Sequence, residues 1–559
     1  MPLSTSPRLH AFLTSHAAVF LLYALVTLPF VLLQDLTILH CDDWGFLNDM
    51  RLGMSPYPDV MNSRVLFSTF WWLMYVVSGD TLQGAYLLIR ASQVFLAFSV
   101  ATGLHRLRVL PRPLTILAGL LVLLPSGDHS REWWTMAHPW FATGFGFGFF
   151  LLMIAAYICD HRSSRLLYAG IAVLLSFGLF EIHLGLVILV LGVLILRVHR
   201  RIPMALLILV GAVGVYMLLH TWQGLSLDVR DDRIRAMGAD LPVLFARSVK
   251  GLSLIVKSWG APLHYRSSLS TGFSSATVLA ACFLSMAIAW TALHLRREVG
   301  ATETDANKGS FRTGLSGIGM LMIALAAAFL PIILVMPPSG NDIDSRTLML
   351  AAPVANLLLL FVAHAIAGRF SGRSRATTII TWAGMVPLLA SGIVGNLDRL
   401  VEHRREWVEE KQMLRAVLVD APDLRDSTHV VLLLDHDDLT ARLSSARPMF
   451  GATFHTLNGA LQLLYDDTTI SGGLLSTVRF SDRPLQTSAL RGPLAHALGW
   501  PLPLARSLVW AYDVRTGNLH VLSRQELEKR WGLALPAYNP YTRIDTNGVN
   551  RSPWRSLIE

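Results

Sequence analysis

The sequence predicts a polytopic α-helical membrane protein of about eleven transmembrane helices, followed by a C-terminal soluble α/β domain. Three observations predict it. The 559 residues are 53% hydrophobic and only 15% charged, with a mean hydropathy of +0.48, too apolar for a soluble chain of this size. Windows of roughly 18–22 apolar residues, the length that crosses a bilayer, recur along the first two thirds of the chain. From residue 397 onward the composition turns abruptly polar, with a charged helical stretch, a strand-like HVVLLLD and turn signals such as RTGN.

The apolar runs fall near residues 12–33, 82–104, 113–125, 139–158, 164–180, 182–197, 203–221, 272–294, 313–336, 347–368 and 377–395. The first has no small-residue cleavage pattern after it and is long enough to span, so it reads as a retained helix. Short basic connections hold Arg106, Arg108 and Arg112; Arg162 and Arg165; Arg197, Arg200 and Arg201; Arg296, Arg297, Lys308 and Arg312; and Arg369, Arg373 and Arg375. The positive-inside rule puts these in the cytoplasm. The acidic, aromatic and Pro/Gly-rich connections at 34–81, 126–138, the FEIH turn, 222–271 and 337–346 then face outward. Segment 62–79 is apolar enough to span, but counting it would invert every later loop. It is read as an interfacial helix with Trp71, Trp72 and Tyr75 at headgroup level.

Residues 1–396 thus form a transmembrane module and residues 397–559 one soluble domain. Eleven spans from a cytoplasmic N-terminus put that domain outside, with helix 398–419 continuing the last span. The net charge of +9 is spread over orientation-setting clusters rather than one basic face, which excludes a nucleic-acid partner and leaves membrane lipids. Cys41, Cys159 and Cys282 lie far apart with no CxxC spacing, so neither a disulfide framework nor a zinc site is indicated.

Four polar clusters fall in the outward connections. Asp42 and Asp43, in LHCDDWGFLNDM, follow the first span and precede Trp44. Carboxylates at a lipid–water boundary can deprotonate a hydroxyl, hold a divalent cation (Mg or Mn) against a phosphate, or orient a sugar. Equally, they can cap the helix that follows. In PSGDHSREWWTMAHPW, the side chains of Glu132, Trp133, Trp134 and His138 suit a sugar's ring face and hydroxyl edge, or form an aromatic belt with a charged rim. Glu181 and His183 sit at a tight turn between two spans, where an ionisable pair is a functional candidate unless the turn is hydrated. Arg346, in PPSGNDIDSRTLMLAAP, offers a forked clamp for a phosphate or snorkels from its helix end. Asn62-Ser63-Arg64 lies farther along the first outward loop, and Arg90 lies some way into its span. The stretch around Lys250 and Lys257 reads as an amphipathic surface helix.

The acidic DDW after the first span, the downstream NSR, the WWTMAHPWFATG run, the FEIHLG turn and SRTLMLAAP before a late span together resemble the GT-C superfamily. Within it, they are most similar to the bacterial O-antigen-glucosyltransferase-like membrane proteins that use polyprenyl-phosphate sugars. The likeness covers roughly residues 12–395 and rests on short motifs; Ser63 stands where the related pattern often has Gly.

The resemblance implies a GT-C-like fold and a lipid-linked monosaccharide donor. It also implies transfer to a cell-envelope glycan or lipid acceptor on the periplasmic face of the bacterial inner membrane. It maps the loop carboxylate that acts as base or metal ligand onto Asp42 or Asp43. It maps donor-phosphate binding onto Arg346 and Arg64, leaving Trp44, Glu132, Trp133, Trp134, His138, Glu181 and His183 for sugar or acceptor. Two rival readings share the topology: a transporter or flippase for a lipid-linked saccharide, and a ligase or polymerase that moves a glycan block from a lipid pyrophosphate. Neither the sugar nor the role of the C-terminal domain is legible.

Overall fold

The computed structural model describes residues 15–34, 42–52, 66–78, 83–125, 136–180, 183–197, 211, 214, 241–259, 310–335, 348–371, 374–434, 454–475, 504–513, 518–531, 538–545, 552 and 555. Along these run helices α1 (His16–Leu33), α2 (Asp42–Arg51), α3 (Phe67–Ser78), α4 (Gln83–Arg106), α5 (Arg112–Leu123), α6 (Ala137–Asp160), α7 (Ser163–Leu179), α8 (Leu184–Arg197), α9 (Leu241–Trp259), α10 (Ser310–Val335), α11 (Ala351–Ser371) and α12 (Ser374–Asp420). Strand β1 (His429–Leu434), α13 (Phe454–Tyr465), β2 (Ser471–Leu475), β3 (Ser507–Asp513), β4 (Asn518–Val521) and α14 (Arg524–Trp531) follow.

The protein is a helical membrane protein. Among the described residues, five helices are long and apolar enough to cross a bilayer: α1, α4, α6, α11 and the Arg375–Val401 part of α12. Arg112–Leu123, Ser163–Leu179, Leu184–Leu194 and Gly317–Phe329 are shorter apolar helices. The expected spans at 203–221 and 272–294 lie outside the described residues, apart from Gly211 and Gly214. Helix α3 occupies the disputed segment with 12 residues, about 18 Å of helix against the roughly 30 Å of a hydrocarbon core.

The chain divides into two compact units; the first holds the helices from α1 to Val401 except α2. Every residue of α5 from Pro113 to Leu123 is buried. Three of its backbone carbonyls also accept side-chain donors from other helices. Tyr23 Oη of α1 donates to Ile116 O at 3.0 Å, Asn356 Nδ2 of α11 to Leu121 O at 3.0 Å, and Trp382 Nε1 of α12 to Pro113 O at 3.2 Å. Such bonds, with close packing of small residues, are what join helices in lipid.

Helix α6 contains a π-helical segment, Ala142–Phe147. Gly144 within it packs onto the Ser92 backbone of α4 so closely that any side chain would collide with main-chain atoms. The wide turn and the bare glycine together let the two backbones meet.

The second unit takes in α2 and the residues from 402 onward. Its sheet has the order β2-β1-β3-β4, with β1 parallel to both neighbours and β4 antiparallel to β3. Val430, Val431 and Leu432 of β1 and Leu508, Val509 and Trp510 of β3 are all buried. Burial of successive residues means that both sheet faces are covered. Helix α13 makes the crossover between β1 and β2 and turns Leu457, Ala460, Leu461 and Leu464 inward at helical spacing. Ser523 and Glu526 open α14 with a reciprocal capping box, Ser523 N–H to Glu526 Oε2 at 2.8 Å and Glu526 N–H to Ser523 Oγ at 3.3 Å.

At the start of β1, His429 lies beside Ser471 of β2, with Nδ1 and Oγ in hydrogen-bond contact. Burial, and then the charges of Arg506 and Arg543, hold its pKa below the ordinary histidine value. The folded state therefore prefers the neutral ring. As pH falls through about 6.5 the unfolded chain takes up the proton first, so this part of the stability is present at higher pH and lost on acidification. Chemical unfolding of the full chain in detergent, at about pH 7.5 and about pH 5.5, should show a fall in stability that is shallower in His429→Gln. Equal falls in the two proteins would refute the assignment.

Candidate functional site

The carboxylate pair opens α2. Asp43 is fully enclosed, with no exposed surface, and so is Trp44. The Asp42 side chain, together with Arg64, Glu132, Trp133, Trp134, Glu181 and Arg346, lies outside the described residues. At a helix start, the unpaired N–H groups and the positive end of the helix dipole favour a carboxylate in its charged form.

Helix α2 is seated on α13 and on the residue that follows it by three contacts. Gly459 of α13 meets the backbone at Trp44 and Gly45 so closely that an added Cβ would lie 2.7 Å from the Trp44 carbonyl and the Gly45 nitrogen. One turn on, Asn48 Nδ2 donates to Gln462 Oε1 at 2.7 Å. Gln462 is itself fixed by donating through Nε2 to the carbonyls of Thr468 (3.0 Å) and Ile470 (2.9 Å). At the far end Arg51 pairs with Asp466. The Trp44 indole packs at 5.9 Å on Trp407 of α12, whose other neighbours include the Lys411 ammonium at 5.4 Å. The Trp44 indole N–H is buried with no acceptor among the described residues.

In the first unit, His138 and His183 are interior groups. His138 is ringed by Phe67 at 4.7 Å, Trp71 at 5.9 Å, Phe180 at 6.2 Å and Phe70 at 6.4 Å between ring centres. His183 has no exposed surface and stacks on Phe147 at 5.3 Å. Its Nε2 meets Thr143 Oγ1 at 2.8 Å; its Nδ1 meets Ser176 Oγ at 2.8 Å and the Phe180 carbonyl at 3.0 Å. Because a carbonyl can only accept, Nδ1 carries the ring proton. Thr143 belongs to the π segment of α6 and also reaches the Pro139 carbonyl at 2.7 Å, so this histidine ties the π segment to the end of α7.

Arg90 of α4 is buried, seven residues past the helix start, about 10 Å along the axis. Its Nε and Nη2 donate to Gln34 Oε1 at 3.3 and 3.2 Å, its Nη1 to Gln93 Oε1 at 3.3 Å, and the guanidinium sits 5.9 Å from the Phe30 ring centre. With Thr27, Phe30, Gln93, Leu123, Leu124 and Asn396 it lines a cavity of about 10 Å³, room for one water. The sequence marked Arg90 but not Gln34 and Gln93, whose amides show no pattern until α1 and α4 are side by side. Among the described residues, no group of three or more His, Cys, Asp or Glu side chains is arranged to hold a metal ion.

No protein-family model and no curated protein matches the chain.

Two results follow. Gln462→Leu removes three hydrogen bonds beneath α2 and should cost about 1–3 kcal/mol. Amide exchange across Asp42–Arg51, read by mass spectrometry, should quicken in this variant and in Gly459→Val while α6 stays protected; unchanged exchange in both would show that α2 does not depend on α13. Separately, His183→Leu takes the imidazole from the Ser176 hydroxyl and leaves Thr143 only its bond to the Pro139 carbonyl, and should lower detergent-phase stability by about 1–3 kcal/mol. A neutral result would mean that the hydroxyls re-pair locally.

Proposed function

We propose that the protein is an integral membrane glycosyltransferase of the GT-C kind. It would transfer a monosaccharide from a polyprenyl-phosphate donor to a cell-envelope glycan or lipid on the outer face of a bacterial inner membrane. In this reading, about eleven transmembrane helices carry the site, and the soluble C-terminal domain shares its side of the membrane. The observation that carries it is the head of α2, where a carboxylate pair opens a helix held on α13 by backbone contact at Gly459 and by the Asn48–Gln462 bond. A helix bolted to a neighbouring helix keeps the pair in register.

A general base must come within about 2.6–3.2 Å of the hydroxyl it deprotonates. Asp43 has no exposed surface, so the base's role goes to Asp42, while Asp43 holds the helix start. The acceptor hydroxyl loses its proton to Asp42, and its oxygen attacks the anomeric carbon from the face opposite the phosphate. The carbon–oxygen bond to phosphate breaks with inversion, and polyprenyl phosphate leaves. Arg346, helped by Arg64, neutralises the leaving phosphate through paired guanidinium donors. His138 and His183 shape the interior rather than touch substrate.

Purified protein should be offered a panel of polyprenyl-phosphate sugars with an envelope extract as acceptor, with and without a chelator. Wild type should release polyprenyl phosphate from one donor, and product mass should increase by a single sugar. Asp42→Asn should abolish turnover in folded protein, whereas Asp43→Asn should mainly lower stability. Arg346→Ala should slow transfer by roughly 100-fold, the scale of one well-placed charge-stabilising donor. Turnover lost with Asp43→Asn but kept with Asp42→Asn would reverse the two roles. A mass increase of a whole glycan would move the protein to the block-transferring class, and no turnover with any donor would defeat the enzyme reading.

A further inference from the structure

Helix α9 is the most strongly amphipathic of the described helices, and it presents three distinct faces. Gly251 and Ile255 are buried. At the end of the helix, Trp259 Nε1 donates to Asn356 Oδ1 of α11 at 2.9 Å. A second stripe, Phe245, Val249, Leu252 and Val256, follows the i, i+4, i+7, i+11 spacing of one helix face. It is exposed, with Phe245 at 71% and Val256 at 56%. A third face carries Lys250 and Lys257, both exposed, seven residues apart and so about 10 Å along one side of the helix.

This helix is poorly suited to crossing a bilayer. Its 19 residues would make about 28 Å of helix, long enough to cross, but upright it would set Lys250 at mid-bilayer, with Arg247 and Lys257 to either side. Charged side chains at that depth are costly and rare. Lying flat, the helix holds all three cations at one level. The Trp259 bond agrees with that orientation, because Asn356 is the sixth residue of α11, about 8 Å from the start of a membrane-crossing helix.

We propose that α9 is an in-plane helix that docks on anionic phospholipid. Its apolar stripe enters the acyl chains, while Lys250 and Lys257 bind lipid phosphates at headgroup level. Amphipathic helices with basic flanks bind membranes by this combination of apolar burial and attraction to anionic headgroups. The inference does not depend on the reaction the protein performs.

The test uses the full chain in detergent, titrated with dioctanoyl phosphatidylglycerol, dioctanoyl phosphatidylcholine or inorganic phosphate, with binding read as a thermal shift. Phosphatidylglycerol should bind more tightly than phosphatidylcholine. Lys250→Gln with Lys257→Gln should weaken phosphatidylglycerol about 25-fold, roughly fivefold per lysine, and leave phosphatidylcholine unchanged. Leu252→Ser with Val256→Ser should weaken both lipids. Equal affinity of wild type for the two lipids, or an unaltered double-lysine variant, would overturn the proposal. Full displacement by inorganic phosphate would reassign the lysines to a free anion.

A second arm places Phe245→Cys or Lys250→Cys in a background with Cys41, Cys159 and Cys282 changed to Ser. In vesicles of phosphatidylcholine and phosphatidylglycerol, a membrane-impermeant maleimide should label position 250 and spare position 245. Equal labelling would mean that the stripe faces water. Protection of both positions that grows with protein density would mean that a second copy covers the helix. Either outcome would overturn the lipid assignment.

Discussion

Apolar side chains gain little by leaving lipid for a protein neighbour, so a helical bundle in a membrane must be joined by close packing and by polar bonds between helices. Helix α5 is where this constraint is met. It is enclosed from Pro113 to Leu123, and tyrosine, asparagine and tryptophan side chains from α1, α11 and α12 each donate to one of its carbonyls. Each donor would otherwise be an unsatisfied polar group in a dry interior, so the bond that satisfies it also fixes the position of its helix. The remaining polar interior follows the same logic: His183 is bonded at both ring nitrogens, and Arg90 is held by two side-chain amides.

The second unit solves a different problem. Its sheet and crossover helix bury apolar residues in the manner of a water-soluble α/β domain, and the outer face of α13 is given over to α2. A ten-residue helix would be marginal alone in water. Backbone contact at Gly459, the Asn48–Gln462 bond and the Arg51–Asp466 pair supply what it lacks. The carboxylate pair, far from the C-terminal region in sequence, thus belongs structurally with that region. If the pair is catalytic, residues more than four hundred positions away control its placement.

In the first unit, polar side chains meet two kinds of surroundings. His138, His183 and Arg90 are embedded among partners and act on neighbouring protein atoms. Lys250 and Lys257 are exposed, and there a lipid would complete the chemistry.

The sequence by itself determined that the chain is a helical membrane protein, because the length and apolarity of its runs are set by bilayer thickness alone. It also marked the charged helix after the last span: α12 runs from Ser374 to Asp420, with Pro387 inside its apolar stretch. Asp42, Asp43 and Trp44 stood out because acidic and aromatic residues beside an apolar run are conspicuous in one dimension. What pairs them with Gly459, Gln462 and Trp407 was not legible, because those residues are ordinary members of an amphipathic helix until the backbones meet. The same holds for Gln34 and Gln93 around Arg90, and for the π turn that brings Thr143 to His183. Local pattern is written residue by residue along the chain, whereas burial and hydrogen-bond partnership depend on which distant segments share a surface, and only the tertiary structure decided that.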